Sequence, residues 1–202
     1  MNVYTTDKIR NVVLLGHGGS GKTTLVEAMA YLSGITKRMG KVTDGNTISD
    51  YDKEEVKRQF SINASVVPII WEDTKINILD TPGFPGFVGE VEETASVADA
   101  AIIVVSGKAG IEVGTQRAWD ICERYKLPRM FFVTEMDVDN ASYRQVVEDL
   151  QEMYGKKIAP FHFPIRENEK FVGYVNVVAQ TGNRWNDKGQ VEEVDIPEYS
   201  LE

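Results

Sequence analysis

Two kinds of run alternate along this chain. Short, almost unbroken apolar stretches, "NVVLL" from Asn11, "AIIVVS" from Ala101 and "RMFFV" from Arg129, read as strands covered on both faces. Between them, apolar residues return every three or four positions. "KTTLVEAMAYLSG" puts Leu25, Met29 and Leu32 on one helical face and stops at Gly34, and "VGEVEETASVADA" reads as a second helix. "TQRAWDICERYKLP" gathers Ala118, Trp119, Cys122 and Tyr125 on one face before Pro128 ends the helix. After a cap at Asn140, the residues Tyr143, Val146, Val147, Leu150 and Tyr154 form a further stripe, closed by Gly155. "ASVVPIIW" and "KINILD", separated by Glu72, Asp73 and Thr74, read as a hairpin whose first strand Pro68 confines to a sheet edge.

Strands alternating with helices predict an α/β fold. The expected architecture is a doubly wound, mostly parallel sheet with right-handed crossovers and one antiparallel edge hairpin. Two stretches stand apart. Thr36 to Arg58 is polar, carries turn residues at Asp44, Gly45 and Asn46, shows no sustained periodicity and is long for a passive connection. Beyond Ile165 the character changes to a strand-prone "KFVGYVNVVAQ" and then an acidic, loop-rich tail, "NDKGQVEEVDIPEYSLE".

Composition narrows the function classes. The chain has 202 residues, 42% of them hydrophobic, enough to bury a sizeable core. With 22 basic against 31 acidic residues and a net charge of -9, a broad phosphate-backbone footprint is not expected, nor is sequence-specific nucleic-acid binding. Cys122 is the single cysteine and the histidines number two, so neither an internal disulfide nor a zinc site has support. "MNVYTTDKIR" lacks the apolar core of a secretion signal, and no apolar run approaches the roughly eighteen residues of a membrane span. The expected compartment is the cytoplasm, with no membrane partner.

In a doubly wound sheet the ligand crevice lies at the carboxyl ends of the strands, here the loops after Leu15, Leu79 and Val133. The first is "GHGGSGKT", Gly16 to Thr23, which matches G-x-x-x-x-G-K-S/T between a strand and a helix, the P-loop NTPase signature. Its glycines let backbone N–H groups wrap a phosphate at a helix N-terminus. The loop residues expected to touch nucleotide are His17, Gly18, Gly19, Ser20, Gly21, Lys22, Thr23 and Thr24. Lys22 would lie between the β- and γ-phosphates, and the Thr23 hydroxyl would reach Mg²⁺. A flexible glycine turn with a chance lysine is the bland alternative.

The second loop, "ILDTPGF", ends a strand with Asp80, a carboxylate able to hold Mg²⁺ through a water. Gly83 can bring a backbone N–H to the γ-phosphate because no side chain blocks it. The third loop, "TEMD", carries Asp137, whose carboxylate could accept the imino and amino protons of guanine, a pattern adenine lacks. Alone, "DTPG" reads equally well as a turn and "TEMD" reads better as one; following a phosphate loop, they read as γ-phosphate sensor and base reader. An ATPase or small-molecule kinase would leave "TEMD" unexplained and would need a substrate lid that the chain lacks.

With "GHGGSGKTTL", "ILDTPGF", "YKLPRMFFVTEMD" and "WNDKGQVEEVDIPEYS" together, the chain resembles, from about Lys8 onward, the GTP-binding domain of translational GTPases. The resemblance is to elongation factor G and its paralogues, including those of the ribosomal protection type. It implies a switch that binds GTP or GDP with Mg²⁺ and couples GTP hydrolysis to action on the ribosome through a larger parent. The polar stretch becomes the first switch, with Ser61 of "RQFSI" on the threonine that ligates Mg²⁺, making Thr23, Ser61 and Asp80 the metal set. Lys22 and Gly83 become the catalytic residues, and Thr134, Glu135 and Asp137 the base loop. Residues 1–165 would form the GTP-binding domain and 166–202 the start of a β-rich subdomain inserted in the family.

Four departures qualify the resemblance. Phe84 occupies the position of the histidine that orients the attacking water, and phenylalanine can neither accept a proton nor hold water. Weak intrinsic hydrolysis is therefore expected, with a hydrolysis-impaired, GTP-gated ribosome-binding or protection paralogue as the second reading. Thr134 and Glu135 replace the asparagine and lysine of N-K-x-D, and Gly19 replaces a common aspartate. The serine-alanine motif beyond the insertion has no equivalent, which suggests a monomeric fragment missing the C-terminal part of its domain; Leu201 and Glu202 are read as a cloning scar. His17 is assigned no catalytic role, and His162 is read as a strand residue.

Overall fold

Strand β1 (Ile9–Gly16) organises the first half of the chain. Val13, Leu14 and Leu15 are 0%, 0% and 1% exposed, because β1 is covered on both faces, and alternate side chains serve opposite layers. Leu14 packs with Val26 and Ala30 of helix α1 (Lys22–Leu32) and with Val67, Ile69, Ile78 and Val104 in one core. Leu15 points the other way, toward helices α3 (Val88–Ser96) and α4 (Val113–Tyr125). The computed structural model describes residues 3–167 and 170–197; Leu201 and Glu202 lie outside them.

Five strands form the sheet in the order β2-β3-β1-β4-β5, with β2 (Ser65–Trp71), β3 (Thr74–Asp80), β4 (Ala100–Ser106) and β5 (Arg129–Thr134). β3, β1, β4 and β5 run parallel; β2 is antiparallel to β3, with Pro68 opposite Asn77 on the edge strand. This is the mostly parallel sheet with one edge hairpin that the hydrophobic pattern predicted. The loops after β1 and β3 both leave its carboxyl end.

By contacts the chain divides into two compact units, one of residues up to Ser106 together with Glu112–Thr134, the other of Gly107–Ile111 and the residues from Glu135 onward. The second holds helix α5 (Tyr143–Tyr154) and a separate antiparallel sheet, β6 (His162–Glu167), β7 (Lys170–Asn176), β8 (Thr181–Trp185) and β9 (Val191–Val194), in sequential order. Arg166 donates to the carbonyls of Met136 and Ala141 at 3.0 Å each, and Tyr143 meets Phe163 edge-on at 6.0 Å. His162 lies in β6, its ring edge-on to Tyr174. Among the described residues no helix is long and apolar enough to cross a membrane.

The structure corrects several local expectations. On α1 the core side is Val26 and Ala30, while Leu32 is 75% exposed; Leu25 and Met29 only flank the core. Side-chain bulk suggested the wrong face: the smaller Val26 and Ala30, one turn apart, are the α1 residues buried in the core. Ser142, not Asn140, caps α5 by accepting Gln145 N–H at 3.2 Å, and Asn140 takes a left-handed turn at φ 65°. The polar stretch is not devoid of regular structure: it contains a short helix α2 (Lys53–Arg58) opened by an Asp52–Glu55 capping box. The acidic tail contributes β9.

Candidate functional site

The phosphate loop is the turn from β1 into α1. Gly19 and Gly21 take φ of +87° and +90°, conformations that an L side chain rarely adopts, and Gly21 is the N-cap of α1. Lys22 is 5% exposed and folds over its own loop, its Nζ donating to the carbonyls of Gly16 at 3.1 Å and His17 at 2.7 Å. Burial pushes its pKa down to about 8, an effect that Asp80 and Glu112 partly offset. Ser20 is 1% exposed with a hydroxyl that no hydrogen bond satisfies among the described residues, and Thr24 faces solvent.

His17 is held from α4. Its Nδ1 accepts Gly114 N–H at 3.2 Å, which places the ring proton of the neutral form on Nε2, 3.5 Å from the Glu112 carboxylate. Neither nitrogen of that tautomer is free to act as a base, in keeping with a structural role. Thr134, at the end of β5, donates to the carbonyl of Ser20 at 2.7 Å and to that of Val105 at 3.2 Å. At the position where the sequence departs from asparagine, the hydroxyl therefore ties the phosphate loop to the sheet.

Three hydroxyl and carboxylate groups from distant parts of the sequence meet behind Lys22. Thr23 Oγ1 donates to Asp80 Oδ2 at 2.9 Å and lies 3.2 Å from Ser61 Oγ, so the three residues expected to hold a metal are brought together. Two residues not singled out from the sequence join them: Ser49 donates to Asp80 Oδ2 at 2.8 Å, and Ser61 donates to Asp50 Oδ1 at 2.6 Å. The one signal for Ser49 and Asp50 was the density of hydroxyls and carboxylates in an aperiodic run. Asp80 is 1% exposed, and its Oδ1 is buried without a hydrogen-bond partner among the described residues. Burial pushes its carboxyl up to about 6, against the opposing pull of Ser49, Thr23 and Lys22.

An unpaired buried carboxylate oxygen beside two hydroxyls fits a hard divalent cation, which prefers oxygen donors. Among the described residues no group of three or more His, Cys, Asp or Glu side chains is arranged to hold a metal, so a cation here would depend on the hydroxyls of Thr23 and Ser61.

The Asp80 loop closes over the phosphate loop. A Cβ on Gly83 would lie 2.5 Å from Gly18 N and 2.6 Å from Lys22 Nζ, so only glycine permits this approach. The Phe84 ring covers Gly18, where a Cβ would be 3.1 Å from it, and packs on Phe60 at 4.6 Å between centroids. Behind the loop lies an apolar cavity of about 70 Å³, lined by Leu15, Phe84, Val88, Val91, Ala118 and Ile121 among others. In the second unit, Glu135 has φ 53° and Asp137 is exposed in the turn that follows.

The family described as "Elongation factor Tu GTP binding domain" matches residues 7–195. The chain belongs to that family. It is 37% identical over 183 residues to the mitochondrial ribosome-releasing factor 2 of Anopheles gambiae, covering 91% of this chain and 25% of that protein. It is 35% identical over 198 residues to elongation factor G of Chlamydia caviae, covering 96% and 28%. A crystal structure of a Thermus thermophilus protein superposes with a TM-score of 0.90 at 39% identity, over 96% of this chain and 29% of that one. A bacterial selenocysteine-specific elongation factor, at 22% identity and a TM-score of 0.60, shares the fold. The chain thus spans about a quarter of the length of the curated relatives it matches.

Proposed function

We propose that this domain is a Mg²⁺-dependent guanine-nucleotide switch that binds GTP or GDP and couples GTP hydrolysis to the action of an elongation factor G-like protein on the ribosome. The observation that carries this reading is the meeting of Thr23, Ser61 and Asp80 behind Lys22, with one Asp80 oxygen left unpaired. Residues His17 to Thr24 hold the phosphates, with Lys22 supplying positive charge at the β- and γ-groups. Thr23, Ser61 and Asp80 hold Mg²⁺, which neutralises charge on the phosphate oxygens when bound. Gly83 offers its backbone N–H to the γ-phosphate, and its place against Gly18 and Lys22 means that the loop must yield as that phosphate enters. Hydrolysis breaks the bond between the γ-phosphorus and the bridging oxygen as water adds, giving GDP and inorganic phosphate.

On this reading Asp137 selects guanine, with Thr134 and Glu135 completing the base loop. Residues 1–165 serve as the nucleotide domain and 166–202 open an inserted subdomain. The names of the relatives support a ribosomal partner, engaged through a larger parent, and the compartment proposed is the cytoplasm. Calorimetric titration with GDP, GTP and ATP in Mg²⁺ tests the assignment. Guanine-selective binding that Asp137→Asn abolishes is expected; equal affinity for ATP sinks it.

A second reading rests on Phe84. Its ring packs on Phe60 and over Gly18, an apolar lid with no group to orient water. A GTP-gated binding protein with impaired hydrolysis follows. Phe84→His is then expected to raise single-turnover hydrolysis on ribosomes by about 10² or more. A wild-type rate equal to that of the histidine variant would discard this second reading.

A further inference from the structure

The stretch from residue 36 to 64 is held down by an unusual means. Its buried residues are Gly40, Ser49, Asp50 and Glu55, so apart from the half-buried Phe60 ring on Phe84 apolar contact does little to anchor it. Buried carboxylates hold it. Glu27 lies one turn after Thr23 on α1, is 1% exposed, and accepts Gly40 N–H at 2.7 Å on one oxygen and Ile48 N–H on the other. A Cβ on Gly40 would sit 2.6 Å from the Asn46 carbonyl oxygen and 2.8 Å from Glu27 Oε2, so glycine is needed for the approach. Glu55, also 1% exposed, accepts Asp52 N–H at 3.0 Å on one oxygen, and Ile62 and Asn63 N–H at 2.9 and 2.8 Å on the other.

These two anchors bracket the cation hydroxyls. Glu27 fixes the residue just before Ser49 and Asp50, which bond to Asp80 and Ser61, and Glu55 fixes the two residues just after Ser61. We propose that Glu27 and Glu55 are positioning residues of the switch, holding residues 40–63 in the arrangement in which Ser61 meets Thr23 and Asp80. The proposal rests on the nucleotide reading above and adds to it a source of discrimination between triphosphate and diphosphate. The resemblance to translational GTPases implies that the Ser61 hydroxyl ligates Mg²⁺ in the triphosphate form, so an anchor that presents it would favour that form over GDP.

Glutamine matches glutamate in size but replaces one acceptor oxygen with an NH₂ that faces a backbone N–H. Glu27→Gln and Glu55→Gln therefore remove one anchor each at constant volume, and Gly40→Ala crowds the Glu27 anchor while leaving its carboxylate chemically intact. Glu54→Gln, at an exposed position, is the control. Calorimetry with Mg²⁺ compares GDP with the β,γ-imido analogue of GTP. Trypsin reports the segment directly, at the exposed Lys37, Arg38, Lys41, Lys53, Lys57 and Arg58.

Each anchor variant is expected to bind the analogue about tenfold more weakly, with GDP affinity within about twofold of wild type. The nucleotide-free segment is expected to be cut about tenfold faster in these variants and unchanged in the control. Equal loss for both nucleotides, loss for neither, or unchanged cleavage overturns the proposal. If Glu27→Gln does not fold, Glu55→Gln and Gly40→Ala decide. A wild-type chain that binds no guanine nucleotide defeats the nucleotide reading instead, and cleavage of the nucleotide-free variants still decides whether the carboxylates anchor the segment.

Discussion

β1 and the stretch from residue 36 to 64 belong to the same compact unit and are held by opposite means. In β1, Val13, Leu14 and Leu15 are sealed between helices, almost wholly out of water. In the stretch, Ile48, Tyr51 and Val56 face solvent at 37%, 70% and 37% exposure, while carboxylates grip backbone N–H groups. Apolar burial is non-directional and survives any small shift of its neighbours. A carboxylate-to-N–H contact is directional, and water can replace it once the segment lifts. The sheet is therefore the fixed frame on which Lys22, Thr23 and Asp80 stand, and the stretch is the part held by contacts that water can replace.

The sharpest contrast is in stability. Leu14→Ala deletes a fully buried side chain from the middle of the core and is expected to cost about 2–5 kcal/mol in urea unfolding. Ile48→Ala, at a residue more than a third exposed, is expected to stay within about 0.5 kcal/mol. Comparable losses at the two positions would mean that the stretch carries part of the core, and the division between frame and movable part would fail.

The same contrast governs how much could be read from the sequence. Strands β1, β4 and β5 and the edge hairpin were legible because apolar runs of that length have few other uses, and the phosphate loop because its glycines and lysine serve one geometry. Thr23, Ser61 and Asp80 were named as a set, and the structure joins them across 57 positions of sequence. Ser49, Asp50 and the anchoring roles of Glu27 and Glu55 were not legible. Glu27 and Glu55 bond to backbone N–H groups, which every residue carries and no pattern marks, while Ser49 and Asp50 bond to the side chains of Asp80 and Ser61, 31 and 11 positions away. The Asp52–Glu55 capping box did leave a local signature, but a six-residue helix is too short to show periodicity. The face of α1 is hard to read for a related reason: hydrophobic bulk marks what can be buried, and Leu25, Met29 and Leu32 outweigh the Val26 and Ala30 that the core takes.

The frame also carries a smaller, pH-dependent effect at the point where the movable stretch meets it. Burial lifts the folded-state pKa of Asp80 from 3.8 to about 6. Between those values the folded chain retains a proton that the unfolded chain has released. The unfolded state binds fewer protons there, so the contribution of Asp80 to stability is fully present below about pH 4 and is lost as pH rises through about 6. The loss amounts to up to about 3 kcal/mol in the metal-free chain. Asp80→Asn is neutral throughout and is expected to remove this fall, leaving the variant more stable than wild type at pH 7 without metal. On the Mg²⁺ reading, saturating Mg²⁺ with GDP engages the ionised carboxylate, so at pH 7 it is expected to stabilise wild type by more than it stabilises the variant, which keeps only the phosphate-loop contacts. Urea unfolding of both proteins at pH 4.5 and 7, with and without Mg²⁺ and GDP, measures all of these differences. A fall that persists in Asp80→Asn would place the titrating group elsewhere. A fall that Mg²⁺ and GDP do not relieve would mean that Asp80 is buried for the frame alone, with its unpaired oxygen serving no cation.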